Sequence, residues 1–127
     1  MIKLKKVIAF LIGGNMNIDI KKVKIIVTVP SENVQEVRDA MCKEGAGIIG
    51  NYSYCTFSTN GIGTFKPSDK ANPYIGKKNK LEFVNEEKIE VLCDISIAKN
   101  VIKRLRDVHP YEEPGIDIIP IIDENDL

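Results

Sequence analysis

The first regular pattern in the chain is an alternation that places β-branched residues on one face. The alternating set is Val23, Ile25, Val27 and Val29. A period of two predicts a strand, which Pro30 would end. Ser31 then occupies the position of a helix N-cap. The next apolar residues have helical spacing and are Val34, Val37 and Met41. They predict a helix that Gly45 and Gly47 end.

The second half of the chain repeats this order of strand, helix and strand. Residues 88–93 predict a strand, and Ser96 is placed to cap the helix that follows. The apolar face of that helix is formed by Ile97, Val101, Leu105 and Val108. Pro110 ends the helix, because the residue before a proline avoids helical geometry. Residues 116–119 predict the last strand, which precedes Pro120.

An offset of 64 residues aligns the two halves. The offset matches Val37 with Val101, Met41 with Leu105, Gly45 with His109, and Asn51 with Gly115. A βαβ unit used twice predicts the ferredoxin-like plan. The expected fold class is therefore α+β, a double βαβ sandwich with an antiparallel sheet and two helices on one face.

The segment between the halves predicts further strands and one long loop. Residues 51–59 alternate polar and aromatic side chains and predict a strand. Asn60 and Gly61 form a turn signal, so residues 61–65 are expected to pair back as an extra hairpin. The segment Lys66–Lys80 is rich in proline, asparagine and glycine and predicts a loop, and loops of this length are often functional. Residues 81–84 predict a short strand.

The length of 127 residues fits one domain. We expect an N-terminal extension at 1–21, a domain at 22–123 and a C-terminal tail at 124–127. Lysines precede the apolar run 7–12, as in a signal peptide, but the run is far shorter than the ~20 residues that span a bilayer. Met16 is an alternative start. The sequence thus favours a cytoplasmic protein without a membrane segment.

Charge disfavours a nucleic-acid partner, and the cysteines disfavour a disulfide framework or a zinc knuckle. Lysine plus arginine equals aspartate plus glutamate at 18 each, so no basic surplus favours nucleic acid. The three cysteines are Cys42, Cys55 and Cys93. Their number and spacing predict free thiols in a reducing compartment, with Cys93 in the core.

The segment 109–114 holds the most distinctive candidate chemistry. It combines the single histidine of the chain, His109, with Tyr111, Glu112 and Glu113 between two prolines. His109 with either glutamate could hold a metal or form an acid–base pair, but the segment could equally be a rigid connector or an interface. One histidine is too few for most catalytic zinc sites. The sequence therefore shows no complete enzyme active site.

Two other segments are weaker candidates for a site. The glycine-rich stretch 45–52 follows a helix, whereas phosphate-binding loops precede one, so it favours close backbone packing. Cys55 has no basic or histidine neighbour in sequence that would mark it as a nucleophile, so a packed or half-buried strand position is favoured.

Four segments in order, 45–52, 61–67, 72–76 and 109–114, resemble the inserted domain of the Nif-three-like proteins. These proteins are also described as dinuclear-metal, GTP cyclohydrolase I type 2-like proteins. The resemblance covers roughly residues 22–122 and implies a PII-like or CutA-like fold and a homo-oligomer, with a trimer favoured. The histidine-containing metal domain of that family is absent from this chain, which favours a non-enzymatic role.

The resemblance and the residues together predict a small-molecule-binding or regulatory oligomeric module with a small anionic ligand. The candidate ligand-binding residues are Asn51, Tyr54, Cys55, Thr64, Phe65, His109, Tyr111, Glu112 and Glu113. No cofactor is evident. The alternative is a CutA-like protein that binds a divalent metal, through His109 and Glu113 with Cys55.

Overall fold

The structure, a computed structural model, describes residues 19–127. Its strands and helices are β1 (Lys22–Pro30), α1 (Val34–Lys43), β2 (Thr56–Phe65), β3 (Glu82–Asp94), α2 (Ile95–Val108) and β4 (Ile116–Ile121). Short 3₁₀ helices lie at Ser31–Asn33 and Glu124–Asp126. The predictions for residues 1–18 fall outside the described residues.

The four strands form one antiparallel sheet in the order β2-β3-β1-β4. Ile26 pairs directly with Glu90, its counterpart in the offset of 64 residues, so the two halves are related across the centre of the sheet. The two βαβ units together form one four-stranded antiparallel sheet and contribute one helix each. This arrangement confirms the predicted ferredoxin-like α+β fold.

The core lies between the helices and one face of the sheet. The predicted alternating residues of β1 are buried, and so are Ile89, Val91 and Cys93 of β3. Residues paired across an antiparallel sheet point to the same side, so these side chains share one face. Val37, Met41, Val101 and Leu105 are fully buried against it. Neither α-helix of the described residues, 19–127, packs on the opposite face of the sheet.

The extra hairpin predicted at Asn60 and Gly61 is wrong. β2 runs straight through both residues, which pair with Glu87 and Glu86 of β3. The predicted strands at 81–84 and 88–93 are accordingly one strand, β3. An asparagine–glycine pair forms a hairpin turn only where the residues before and after it pair with each other. Here the residues on both sides of the pair are bonded to the longer strand β3 instead.

The predicted strand at 51–59 begins only at Thr56. Tyr54 has a φ of 57°, which breaks the extended chain before it. The alignment of Asn51 with Gly115 is also wrong, because the first segment after a helix is longer in the first half. Thr56 pairs with Val91 as Ile116 pairs with Val27, so Thr56 is the structural counterpart of Ile116.

Both predicted N-caps are displaced by a few residues. Ser31 opens the 3₁₀ helix, and α1 starts at Val34 with no side-chain cap bond. α2 starts directly after β3, so Asp94 rather than Ser96 is its N-cap residue. The end of α2 at Val108 is as predicted, with His109 extended before Pro110. β4 continues through Pro120, which an edge strand tolerates.

No helix within residues 19–127 is long and apolar enough to cross a membrane.

Candidate functional site

A cleft of about 570 Å³ lies on the sheet face that the helices leave open. Its walls come from the end of β2, the loop 66–81 and the junction between α2 and β4. Thr28 and Glu86 form part of its floor. Both residues alternate with the buried side chains of β1 and β3, so they project away from the core.

Glu86 is the buried acid of the cleft, with only 8% of its surface exposed. The Tyr111 hydroxyl donates a hydrogen bond of 2.7 Å to its Oε2. Burial first, and the bond to Glu86 second, raise the pKa of Tyr111 strongly. The carboxylate also fills the space that a β-carbon at Gly63 would need. The glycine in β2 therefore makes room for a carboxylate that belongs to β3.

His109 anchors the junction to the sheet through both ring nitrogens. Its Nε2 lies 2.8 Å from the Thr28 carbonyl, and the Tyr111 amide lies 3.1 Å from its Nδ1. A carbonyl only accepts and an amide N–H only donates, so Nε2 carries the proton and the ring is neutral. Burial lowers the pKa of His109, which favours this neutral form. The imidazole thus positions Tyr111 in the cleft.

Three aromatic rings stand together at the cleft. The centroids of Phe65 and Tyr111 are 5.7 Å apart, with the rings 62° from parallel. Tyr74 lies on the long loop, with its centroid 6.4 Å from that of Tyr111. Tyr111 is therefore the common partner of a ring from β2 and a ring from the loop.

The long loop is tied to the junction by its backbone. The Asn72 amide donates a hydrogen bond of 2.6 Å to Glu112 Oε2. Within the loop, the Asn79 amide donates to the Pro67 carbonyl at 2.6 Å. These bonds close the two ends of the loop and hold its middle, including Tyr74, over the sheet.

The predicted site residues fall into two separate groups. Thr64, Phe65, Tyr111, Glu112 and Glu113 line the cleft. His109 lies behind the cleft wall, with its ring centroid 5.2 Å from that of Tyr111.

The second group lies before the opposite end of β2 and does not line the cleft. The Cys55 amide donates to the Gly47 carbonyl at 2.8 Å. Tyr54 lies near Asp39 of α1, and desolvation followed by a hydrogen bond to Asp39 raises its pKa. Asn51 lies in the short turn that Ile49 and Tyr52 close. The structure therefore does not bring the nine candidates together.

Sequence reasoning missed Glu86, Thr28 and Tyr74. Glu86 lies in a run of polar residues, 85–88, that looks like a solvated strand. The one signal was indirect, because two glycines in β2, Gly61 and Gly63, face this part of β3. Tyr74 lies in the segment 72–76 that contributes to the family resemblance, but nothing in its spacing placed it beside Tyr111.

The three cysteines are free thiols, and Cys93 is buried in the core as predicted. Burial raises the pKa of Cys93 to about 11. Burial also raises the pKa of Cys42. Neither thiol is poised as a thiolate at neutral pH.

Among residues 19–127 no group of three histidine, cysteine, aspartate or glutamate side chains could hold a metal ion. His109 would have to give up one of its two hydrogen bonds to become a ligand.

The chain is similar to known proteins over most of its length. A GTP cyclohydrolase 1 type 2 homolog of Halalkalibacterium halodurans is 47% identical over 103 residues. The match covers 81% of this chain and 28% of that relative. The crystal structure of a Bacillus cereus protein related to NIF3 is 42% identical with a TM-score of 0.70, over 80% of this chain and 26% of that one. No protein-family model matches the chain.

A second group of solved structures shares the fold alone. The structure of the periplasmic divalent cation tolerance protein CutA from Archaeoglobus fulgidus has a TM-score of 0.58 at 20% identity. It covers 79% of this chain and 83% of that protein. The described domain is therefore a ferredoxin-like domain of the CutA-like type.

The chain spans about a quarter of the length of the curated relatives it matches, so it is similar to one segment of those larger proteins. The domain corresponds to part of the GTP cyclohydrolase 1 type 2 homologs, and the resemblance to the Nif-three-like proteins is confirmed.

Proposed function

We propose that this domain is a small-molecule-binding module that self-associates and acts in the cytoplasm. The observation that carries the proposal is the cleft of about 570 Å³ with the buried Glu86 in its floor, hydrogen-bonded to the partly buried Tyr111. A concave surface with a few convergent polar groups and several apolar ones is typical of ligand sites. The cyclohydrolase activity in the relatives' name is not extended to a domain that matches 28% of such a relative.

A regulatory role is supported by the way the cleft is assembled. A ligand there would contact the loop through Tyr74 and the junction through Tyr111. Tyr111 is linked to β3 through Glu86 and to β1 through His109 and Thr28. Ligand binding would therefore connect a surface loop to the two central strands.

Self-association is supported by exposed apolar residues on the sheet. The side chains concerned are Phe57, Ile62, Phe83, Ile118 and Ile119. Strands β2 and β4 are the edges of the sheet, and exposed edges with apolar side chains are ordinary sites of pairing. We propose a homo-oligomer, with a trimer as the favoured state.

The ligand predicted from the sequence is a small anion, and Lys66 and Lys70 are the lysines that line the cleft. The test is a thermal-shift screen of the chain with nucleotides, phosphate and a panel of neutral and cationic metabolites, together with native mass spectrometry. The proposal expects stabilisation by at least one compound and an oligomer that retains it. Absence of stabilisation by every compound, together with a monomer in solution, would refute it.

Divalent-metal binding remains the alternative prediction. The occupied nitrogens of His109 do not favour it. Elemental analysis of the purified protein, with Glu113→Ala and Cys55→Ser variants, would test it. Negligible metal, or metal content unchanged in both variants, would exclude these two residues as ligands.

A further inference from the structure

The Glu86 carboxylate is only half satisfied by the protein. Its Oε2 accepts from Tyr111, whereas no hydrogen bond of the described residues reaches its Oε1. No ion pair within residues 19–127 includes Glu86 either. Oε1 is not one of the buried side-chain atoms that lack a partner within residues 19–127, so it is accessible to water or to a ligand although most of the Glu86 side chain is buried. The missing partner is one that a ligand could supply.

The walls beside this carboxylate are aromatic. Phe65, Tyr74 and Tyr111 line the same cleft as Glu86, and Tyr111 is in edge or tilted contact with the other two rings. The face of an aromatic ring is negative, so rings around an acid favour a cation. Tyr74 is 54% exposed, which leaves part of its surface open to a ligand.

The charges at the rim do not reverse this preference. Lys66 and Lys70 are exposed there, and so are Glu112 and Glu113. Two positive and two negative groups in water offset each other and are screened by salt. Glu86 is the charge that lies deep, where the dielectric is low and electrostatic interactions are strongest.

We propose that the cleft binds an organic cation, an alkylammonium group held between the aromatic rings with Glu86 as its counter-ion. This proposal rests on the proposed small-molecule function and names the ligand class of the same site. It differs from the anionic ligand predicted from the sequence, because the deep position holds a carboxylate and no lysine.

The test compares charged probes with uncharged molecules of the same shape. The full chain, labelled with ¹⁵N, is titrated with choline and separately with 3,3-dimethylbutan-1-ol, its neutral carbon analogue. A second pair is n-butylammonium and butan-1-ol, and inorganic phosphate is the anionic probe. At least one ammonium probe should shift the amide signals of Gly63, Glu86 and Tyr111 saturably. It should bind about tenfold or more tightly than its neutral partner.

Two variants assign the effect to the cleft. Glu86→Gln keeps the side-chain shape and an acceptor for Tyr111 but removes the charge, and should weaken ammonium binding about tenfold. Tyr74→Leu removes a half-exposed ring without opening the core, and should weaken it several-fold. Tyr52→Leu is the matched control, because Tyr52 is 75% exposed and does not line the cleft. Circular dichroism establishes that each variant is folded.

The outcomes separate this inference from the proposed function. If the neutral alcohols bind as tightly as the ammonium probes, the assignment of a cationic ligand is wrong but a small-molecule site remains. The same holds if phosphate binds the cleft and the ammonium probes do not. If neither ammonium probe shifts the three amides, the inference is overturned. If the wider thermal-shift screen also finds no ligand, the proposed function falls with it.

Discussion

The two helix-to-strand junctions occupy equivalent places in the internal repeat, yet they are built from different parts. In the first half, the Gly47 amide donates to the Leu92 carbonyl at 2.8 Å. In the second half, the His109 ring is bonded to the Thr28 carbonyl at 2.8 Å. Thr28 and Leu92 are counterparts in the offset of 64 residues. The Leu92 carbonyl is thus bonded to a backbone amide, whereas the equivalent Thr28 carbonyl is bonded to a side chain.

This difference accounts for the larger cleft, of about 570 Å³, at the second junction, whereas the first junction borders a cavity of about 230 Å³. The first junction relies on Gly45, Gly47 and Gly50, all with positive φ, and lies close to the sheet with little side-chain chemistry. At the second junction the His109 ring accepts from the Tyr111 amide, and the Tyr111 hydroxyl donates to Glu86. The two halves share the pattern of their buried core but differ at their junctions.

The largest expected effect tests the part that the two halves share. Leu105→Ala and Met41→Ala remove counterparts that are fully buried, and each should lower the free energy of unfolding by about 2–5 kcal/mol. Urea denaturation of both variants measures this. Lys103→Ala, at an exposed position, is the control and should change stability by less than about 0.5 kcal/mol. A loss confined to one of the two would contradict an equally packed core.

The next effect tests the side-chain junction. His109→Ala removes a buried ring and leaves the Thr28 carbonyl and the Tyr111 amide without their partner. We expect a loss of about 2–4 kcal/mol in the free energy of unfolding. Hydrogen exchange should show faster exchange at the Tyr111 amide. Exposed Lys99→Ala serves as the control, and a loss below about 1 kcal/mol would refute the anchoring role.

The backbone junction is tested by an added methyl group. Gly47 has a φ of +80°, and a β-carbon there would lie 3.2 Å from the backbone of Cys55. Gly47→Ala should therefore cost about 2–3 kcal/mol, from the left-handed backbone and the crowding together. Gly50→Ala is the matched control, since its φ is +57° and nothing lies within 4 Å. It should cost only about 1 kcal/mol, and equal costs would contradict close packing at Gly47.

The smallest expected effect is a pH dependence that only the second junction has. The pKa of His109 is lowered in the folded state, so the unfolded chain binds the proton more tightly. The stabilisation from neutral His109 is complete above the unfolded pKa of about 6.5. It is lost as the pH falls from there through the folded pKa. Urea midpoints at pH 7.5 and 5.5 should fall more in the wild type than in His109→Gln, and an equal fall would contradict the prediction.

The sequence determined the elements whose causes are local. The alternation in β1, the apolar faces of the two helices and Pro110 predicted strands, helices and a helix end that the structure has. The internal repeat was enough to predict the fold class, because a doubled βαβ pattern has few compact solutions. The cleft-lining residues of the junction stood out for the same reason, as a polar cluster between two prolines.

Tertiary structure decided what depends on residues far apart in the chain. The bond between His109 and Thr28 joins positions 81 residues apart, and that between Tyr111 and Glu86 joins positions 25 apart. No local pattern distinguishes Glu86 from Asn85 and Glu87, which are both less buried. Its burial depends on Gly63 across the sheet and on Tyr111 from the junction. For the same reason the asparagine–glycine turn signal failed, since strand pairing with β3 outweighed a local preference. The sequence alone thus predicted where the two junctions lie, and only packing decided that the larger cleft forms at the second of them.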